Sequence, residues 1–307
     1  MKKIQMTAPA KLNICLEVVK RYDDGFHEIR SIMLKSQKLY DDVVVEFLEG
    51  EEGIVIECDN SEVPTDEQNI CWKIVEGFFA KTGKQIGVKI NIVKRIPMLA
   101  GLGGGSSDGA SVLLALNEYF GDNSNGKNSN PGPILDRNLG LLEMDELVKI
   151  ASEVGKDIPF FLQDAFVAYV GGAGENVESV FDFPNVPILV VNPKVEISTP
   201  WAYGELDRRQ WFMNMKNRKN ISLQMKNNHH TLEDIVQSIY NDFDFVAKEQ
   251  CKEIGEIQNA MKAFGAMSVS ISGKGPTIFG IFESVEDLEK TEKIFQKQYK
   301  KYFISQF

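Results

Sequence analysis

Residues 88–120 read VKINIVKRIPMLAGLGGGSSDGASVLLALNEYF, and the fold turns on this stretch. Val88, Ile90 and Ile92 alternate with Lys89 and Asn91, the period of two that suits a half-buried strand. Pro97 stops the ladder. Gly101, Gly103, Gly104 and Gly105 lack a Cβ, so the backbone there can take positive φ and bring its N–H groups against a ligand. Ser106 and Ser107 are placed to cap a following helix, whose apolar residues Val112, Leu113, Leu116 and Phe120 recur at helical spacing. A strand, a glycine loop and a helix N-terminus in succession form an anion site, and a polyphosphate is the guest that suits it.

Two familiar phosphate fingerprints do not match. Counted from Gly101, the dinucleotide pattern G-x-G-x-x-G requires glycine where Ser106 stands, and no lysine follows Gly105 as a Walker A loop requires. A plain glycine-rich turn before a helix is the bland alternative, and four glycines followed by two serines weigh against it.

Working outward, 307 residues suffice for about two domains, and the apolar and charged fractions, 43% and 25%, suit a soluble globular chain. No run of about eighteen apolar residues exists, and MKKIQMTAPAKLN lacks the apolar centre of a secretory signal, so a cytoplasmic protein off the membrane is expected. Cys15, Cys58, Cys71 and Cys251 are far apart and read as free thiols rather than a zinc site. A net charge of −10 disfavours nucleic acid as a partner. The stretch 208–226, which carries Arg208, Arg209, Lys216, Arg218, Lys219 and Lys226 without an acid, reads as a solvated face.

Residues 4–20 form an extended segment in which Lys11, Asn13 and Cys15 share one face and Leu12, Ile14 and Leu16 the other. Asp23-Asp24-Gly25 supplies a turn, and 26–34 is expected to return beside the first segment, with Phe26 and His27 near Lys11. Two more strands, 42–47 and 53–58, precede a helix over 69–81 with Asn69 as its cap. Residues 121–140 are rich in Gly, Asn, Ser and Pro and read as a surface loop. A helix over 144–154 with Leu147, Ile150, Ala151 and Val154 on one stripe ends at Gly155. Next comes Asp157, which locally reads as a helix cap before Pro159. The second half holds strands at 168–172 and 187–191, two helices within 231–264, a strand–glycine loop–strand over 268–279, and a final helix over 285–299.

Pro97-Met98-Leu99-Ala100-Gly101-Leu102-Gly103-Gly104-Gly105-Ser106-Ser107-Asp108 resembles the central motif of the GHMP kinases. Its triple glycine before Ser-Ser-Asp is most similar to the branch that phosphorylates 4-diphosphocytidyl-2-C-methyl-D-erythritol. Ala8-Pro9-Ala10-Lys11-Leu12-Asn13 resembles that branch's opening motif, Gly25-Phe26-His27 its Gly-Tyr-His, and Gly155 to Phe161 its Gly-x-Asp-(Val/Ile)-Pro-Phe. The segment 192–203 is similar to its substrate segment and 268–279 to its third motif. The likeness spans nearly all of the chain apart from 121–140 and 204–230.

The resemblance implies an α+β fold of two domains, 1–164 for ATP and 165–307 for substrate. The first is like ribosomal protein S5 domain 2 and the second ferredoxin-like, with the active site between them. It implies that Asp157 is the catalytic carboxylate and Lys11 its charged partner. Asn69, Lys94 and Met98 would surround adenine, and Ala100, Gly101, Leu102, Gly103, Gly104, Gly105, Ser106 and Ser107 would hold the phosphates. Ser107 would also be the side chain nearest Mg²⁺, for which no cluster of side-chain ligands and no second acidic ligand is evident. Asn13, Phe26, His27, Thr199, Tyr203 and Gly273, with Asp157, would bind a substrate with a cytidine diphosphate group, as monomer or homodimer. Before the resemblance is counted, Lys94 reads equally as a solvated charge and Met98 as packing, while core filler is the lesser alternative for Tyr203. Mevalonate, homoserine or a sugar as acceptor, or a nucleotide-binding regulator without catalysis, are the rival readings.

Three departures stand out. Phe26 replaces tyrosine, Lys274 replaces a small hydroxyl residue in the third motif, and Gly109 replaces alanine, which should weaken the helix start by up to about 1 kcal/mol.

Overall fold

A computed structural model describes residues 2–125, 140–180, 183–209, 220–226 and 230–307. Most of the predicted 121–140 loop and of the basic stretch 208–226 therefore lies outside the described residues, and 121–125 are helical rather than loop. Along the chain come β1 (Lys2–Arg21), β2 (His27–Leu48), β3 (Ile54–Cys58), α1 (Ile70–Thr82), β4 (Gly87–Val93), α2 (Gly104–Asn125), α3 (Met144–Val154) and α4 (Ile158–Leu162). Then follow β5 (Val167–Gly171), β6 (Asn176–Ser179), β7 (Ile188–Asn192), α5 (Thr199–Arg208), α6 (Ile221–Lys226), α7 (Leu232–Ser238) and β8 (Tyr240–Asn241). The chain closes with α8 (Asp244–Gln250), α9 (Lys252–Ala263), β9 (Ser268–Ile271), β10 (Ile278–Ile281), α10 (Val285–Gln298) and β11 (Phe303–Gln306). The class is α+β, as expected.

Two compact units interleave in sequence. The first comprises 1–8, 40–95 and 104–164, and the second 9–39, 96–103 and 165–307. In the first unit, β4 runs antiparallel to the end of β2, with Asp42 opposite Val93 and Leu48 opposite Gly87, and parallel to β3, with Ile54 opposite Val88. The β3–α1–β4 path is the crossover that a parallel pair needs. Val88, Ile90 and Ile92 are buried, while Lys89 pairs with Glu57 at 2.7 Å and Asn91 with Glu46 at 3.2 Å, so the alternation read from the sequence is the alternation of faces.

Asn69 caps α1 by accepting from Cys71 N–H at 2.8 Å, and the helix ends at Gly83, whose φ of 67° is left-handed. Helix α2 packs on α1 and α4, with Val112, Leu113 and Leu116 buried and Phe120 stacked on Phe78 at 5.7 Å. It begins at Gly104, so Ser106 and Ser107 lie within its first turn rather than capping it. The glycines admit helical backbone, and the helix starts two residues earlier than the serines suggest.

The second unit holds a four-stranded antiparallel sheet, β11-β7-β10-β9, in which β7 and β10 are fully buried. Its core joins Leu12 and Ile14 of β1 to Ile188, Val190, Phe279 and Ile281. In the same unit the start of β2 pairs with β5, Ser31 opposite Val170, β5 pairs with β6, and β1 lies parallel to β8.

The predicted strands 26–34 and 42–47 are one strand, β2. No glycine or proline lies between them, and only the alternation slips, where Ser36 Oγ accepts from Lys38 and Leu39 N–H. The two helices expected within 231–264 are three, with β8 between α7 and α8. Asn241 makes the break by spending its side chain on Ile271 O, Gly273 O and Phe243 N–H.

Candidate active site

The glycine loop is pinned by alternate residues. Ala100 and Leu102 are buried in the second unit's core, while Leu99, Gly101 and Gly103 take positive φ of 53°, 76° and 71°. The Leu102 carbonyl accepts from Lys11 N–H at 2.8 Å, and Ser272 Oγ donates to the Gly101 carbonyl at 2.9 Å. A Cβ on Gly101 would overlap the Ser272 carbonyl, so close approach as well as φ demands glycine here. Met98 is half-buried.

Lys11 is not a solvated charge: it is 4% exposed, and its Nζ donates to Asn13 Oδ1 at 2.7 Å. Asn13 Nδ2 donates to Ser31 Oγ at 2.8 Å, and Ser31 donates its proton to the Cys15 carbonyl at 2.7 Å. That chain fixes the amide. With its proton spent on Cys15, Ser31 can only accept from Asn13, which turns the Asn13 oxygen toward the ammonium. Gly273, φ 57°, closes the group: a Cβ there would lie 3.6 Å from Asn13 Oδ1 and 3.7 Å from Lys11 Nζ. Lys11, Asn13, Gly101, Leu102 and Gly273 are thus brought together.

His27 and Tyr203 also meet, their rings stacked 4.5 Å apart at 28°, and Phe243 stands edge-on to Tyr203 at 4.8 Å. His27 Nε2 bonds Asp207 Oδ1 at 2.7 Å, and Arg21 reaches the other carboxylate oxygen at 3.4 Å. The contacts of His27 therefore run to α5, whose first residue, Thr199, is exposed after its cap Ser198. Phe26 is 51% exposed at the turn.

In the first unit, Lys94 Nζ donates to Asp41 and, at 2.7 Å, to Asp108 Oδ2. Burial alone would lower the Lys94 pKa, but Asp108 and Asp41 more than offset it and the pKa is raised. Burial pushes Asp108 up to about 7, against the pull of Lys94 and with the help of Asp41. Lys94 is therefore a buried ion-pair centre rather than a solvated charge. Ser107 Oγ and Asp108 Oδ1 are buried without a hydrogen-bond partner. Gly105 lies against α1, where its Cβ would sit 3.4 Å from Ile70 Cδ1.

Asp157 stands at the N-cap of α4 but makes no capping hydrogen bond, so the local reading of it as a cap fails. Gly155 ends α3 in extended backbone, φ −167°, and not in the left-handed form. Among the described residues no cluster of three or more His, Cys, Asp or Glu is arranged for a metal ion, and no helix is long and apolar enough to cross a membrane.

The family model for the GHMP kinase N-terminal domain matches residues 69–172, and that for the C-terminal domain matches 218–301. The chain belongs to the GHMP kinases. Among its relatives in this family, 4-diphosphocytidyl-2-C-methyl-D-erythritol kinase of Syntrophotalea carbinolica is 34% identical over 90% of this chain and 88% of its own. The enzyme of the same name from Geobacter metallireducens is 34% identical over 94% and 92%. A crystal structure of 4-(cytidine 5'-diphospho)-2C-methyl-D-erythritol kinase superposes with a TM-score of 0.70 at 26% identity, covering 99% of this chain and 98% of the other.

In this GHMP kinase chain, several residues that hold the predicted ones within each unit were not picked out from sequence. Asp41, Asp108, Ser31, Asn241 and Asp207 each hold a predicted residue or its loop by hydrogen bonds. Asp108 closes the quoted motif, yet nothing in its spacing announces a buried lysine partner. The other four have no local signal.

Proposed function

We propose that the chain transfers the terminal phosphoryl group of ATP to the 2-hydroxyl of 4-diphosphocytidyl-2-C-methyl-D-erythritol, in the cytoplasm, on the methylerythritol phosphate route to isoprenoid precursors. The observation that carries the chemistry is the Lys11 group: an ammonium drawn out of solvent and aimed by Asn13 beside Gly101 and Gly273. The names of the relatives support the acceptor, and the stacked His27–Tyr203 pair suits a flat base. The reading keeps 1–164 as the nucleotide domain and 165–307 as the substrate domain.

Phosphoryl transfer asks a protein mainly for alignment and charge compensation. Asp157 accepts the proton of the attacking hydroxyl as its oxygen bonds to the γ-phosphorus and the bond to the leaving ADP breaks, a contribution of about 10²- to 10⁴-fold. Lys11 offsets charge on the group in transit. Gly101 to Ser107 hold the nucleotide phosphates, while Asn69, Lys94 and Met98 border the adenine. Lys94 does so from the ion pairs it already makes, which fix its stem. Mg²⁺, when bound, neutralises phosphate charge, and the unpartnered Ser107 Oγ is the group that fits it. Asn13, Phe26, His27, Thr199, Tyr203 and Gly273 bind the acceptor.

The test is ADP release by the purified protein, as monomer or homodimer, offered the cytidine diphosphate substrate, mevalonate, homoserine and galactose in turn. Turnover with the first alone is expected, and turnover with mevalonate in its place would end the assignment. Asp157→Asn should abolish turnover while ATP binding, followed calorimetrically, persists.

A further inference from the structure

The turn from Ser272 to Thr277 carries Lys274 where the resembled motif has a small hydroxyl residue. Its backbone is held on every side. Ser272 N–H donates to Thr277 O and Gly275 N–H to Ser272 O, each at 2.9 Å, and Asn241 Nδ2 donates to Gly273 O at 2.8 Å. Gly273 and Gly275, φ 57° and 86°, flank the lysine in left-handed backbone, so the turn itself sets the direction of the side chain.

Lys274 Nζ donates to the Ile197 carbonyl. An ammonium has three donors, and one carbonyl occupies one of them. Among the described residues Lys274 has no ion pair: Glu196 acts on it from a distance, and Lys11 acts with the opposite sign. Burial comes first among the influences on this group and lowers its pKa below the ordinary lysine value. Lys11 Nζ would lie 3.7 Å from a Cβ on Gly273, the residue before Lys274. A half-buried cation with one neutral partner and a like charge nearby is a costly arrangement by itself. It becomes a favourable one when a doubly charged anion enters beside the Lys274 ammonium.

The tether to Ile197 gives the position of that anion along a ligand. Ile197 immediately precedes Ser198, the cap of α5, the helix that starts at Thr199 and carries Tyr203. Lys274 thus ties the turn that borders the Lys11 group to the residue before the α5 cap. In the acceptor proposed above, a diphosphate stands between the reacting polyol and the cytidine, and the inference rests on that reading.

We infer that Lys274 is a substrate-binding residue whose ammonium takes the diphosphate bridge of a cytidine diphosphate ligand. A serine or threonine at this position would be too short to span from the turn to the Ile197 carbonyl and too neutral to compensate the bridge.

Calorimetric titration of the full chain with CDP and with cytidine tests this. In Lys274→Met, which keeps the stem and loses the charge, CDP affinity should fall about 10- to 100-fold while cytidine affinity stays within about twofold. Lys274→Arg should hold most of the CDP affinity. In turnover, KM for the acceptor should rise in Lys274→Met with KM for ATP unmoved. Should the methionine variant not fold, Lys274→Ser replaces it with the same expected split. Equal weakening of CDP and cytidine would mean that the lysine only tethers α5, and unchanged CDP affinity would leave it no ligand; either result overturns the inference while the acceptor stands. A wild-type protein that binds neither probe would remove the acceptor and this inference together.

Discussion

Lys94 Nζ donates to Asp108 Oδ2 at 2.7 Å, with both side chains almost closed to solvent. Asp41 accepts from the same ammonium, so one cation serves two carboxylates and the second of them tends to keep its proton. Asp108 is the group pushed up, to about 7 from an ordinary 3.8. Between those values the folded protein holds a proton that the unfolded chain has lost. The contribution of Asp108 to stability therefore declines as pH rises from about 4 to about 7 and is constant above that window. Asp108→Asn removes the titration and keeps the shape. Urea unfolding at about pH 5 and about pH 8 should show the variant gaining on wild type at the higher pH. Lys94→Met leaves two buried carboxyl groups facing each other and should cost about 3–5 kcal/mol by the same measurement.

Two glycines should respond differently to alanine. Gly101→Ala forces a side chain into left-handed backbone and against the Ser272 and Gly275 carbonyls, and should cost about 2–4 kcal/mol in denaturant unfolding. Gly109 was expected to weaken α2 relative to alanine. Its Cβ would come 2.7 Å from Ile70 Cγ2, so the glycine lets α1 and α2 approach. Gly109→Ala should gain nothing alone, and should stabilise by about 0.5–1 kcal/mol once Ile70→Ala makes room, a coupling that a double-mutant cycle reads directly.

Asn13→Leu removes the acceptor offered to Lys11 and the donor offered to Ser31 while keeping the volume. A stability loss of about 1–3 kcal/mol is expected. Turnover should fall about 100-fold as the ammonium loses its aim, with the KM for ATP little changed in steady-state kinetics.

The four cysteines are free, as the spacing indicated. Burial raises Cys15 to about 12 and Cys71 well above the ordinary thiol, whereas Cys58 and Cys251 are partly exposed and raised less. Ellman's reagent at about pH 8 should titrate those two slowly in the native protein and all four in denaturant. Rapid native labelling of Cys15 would contradict the packing of β1.

Where the determinants are local, the sequence could be read closely. The alternation of β4 shows both its faces, and Asn69 carries the start of α1, whereas its stop at Gly83 was not read. Gly101 and Gly103 take the positive φ that the glycine run allows, whereas Gly104 and Gly105 are helical, and the motif residues Lys11, Asn13, Gly101 and Gly273 lie together. What escaped was non-local. Asp41 lies 53 positions from Lys94, and the Ile197 carbonyl lies 77 from Lys274, so no spacing rule links them. The break at Asn241 was hidden for the same reason, since the side chain that causes it is spent on carbonyls about 30 residues away.

The interleaving of the two compact units has a bearing on synthesis. The polypeptide changes from one to the other after residues 8, 39, 95, 103 and 164. No single scission yields either one intact, and a nascent chain emerging from the ribosome must leave 9–39 without its later partners until β7 and β10 have been translated. Leu12 and Ile14 share their core with Ile32, Leu39 and Leu102 as well as with Ile188 and Phe279, so that core is complete only once β7 and β10 have emerged.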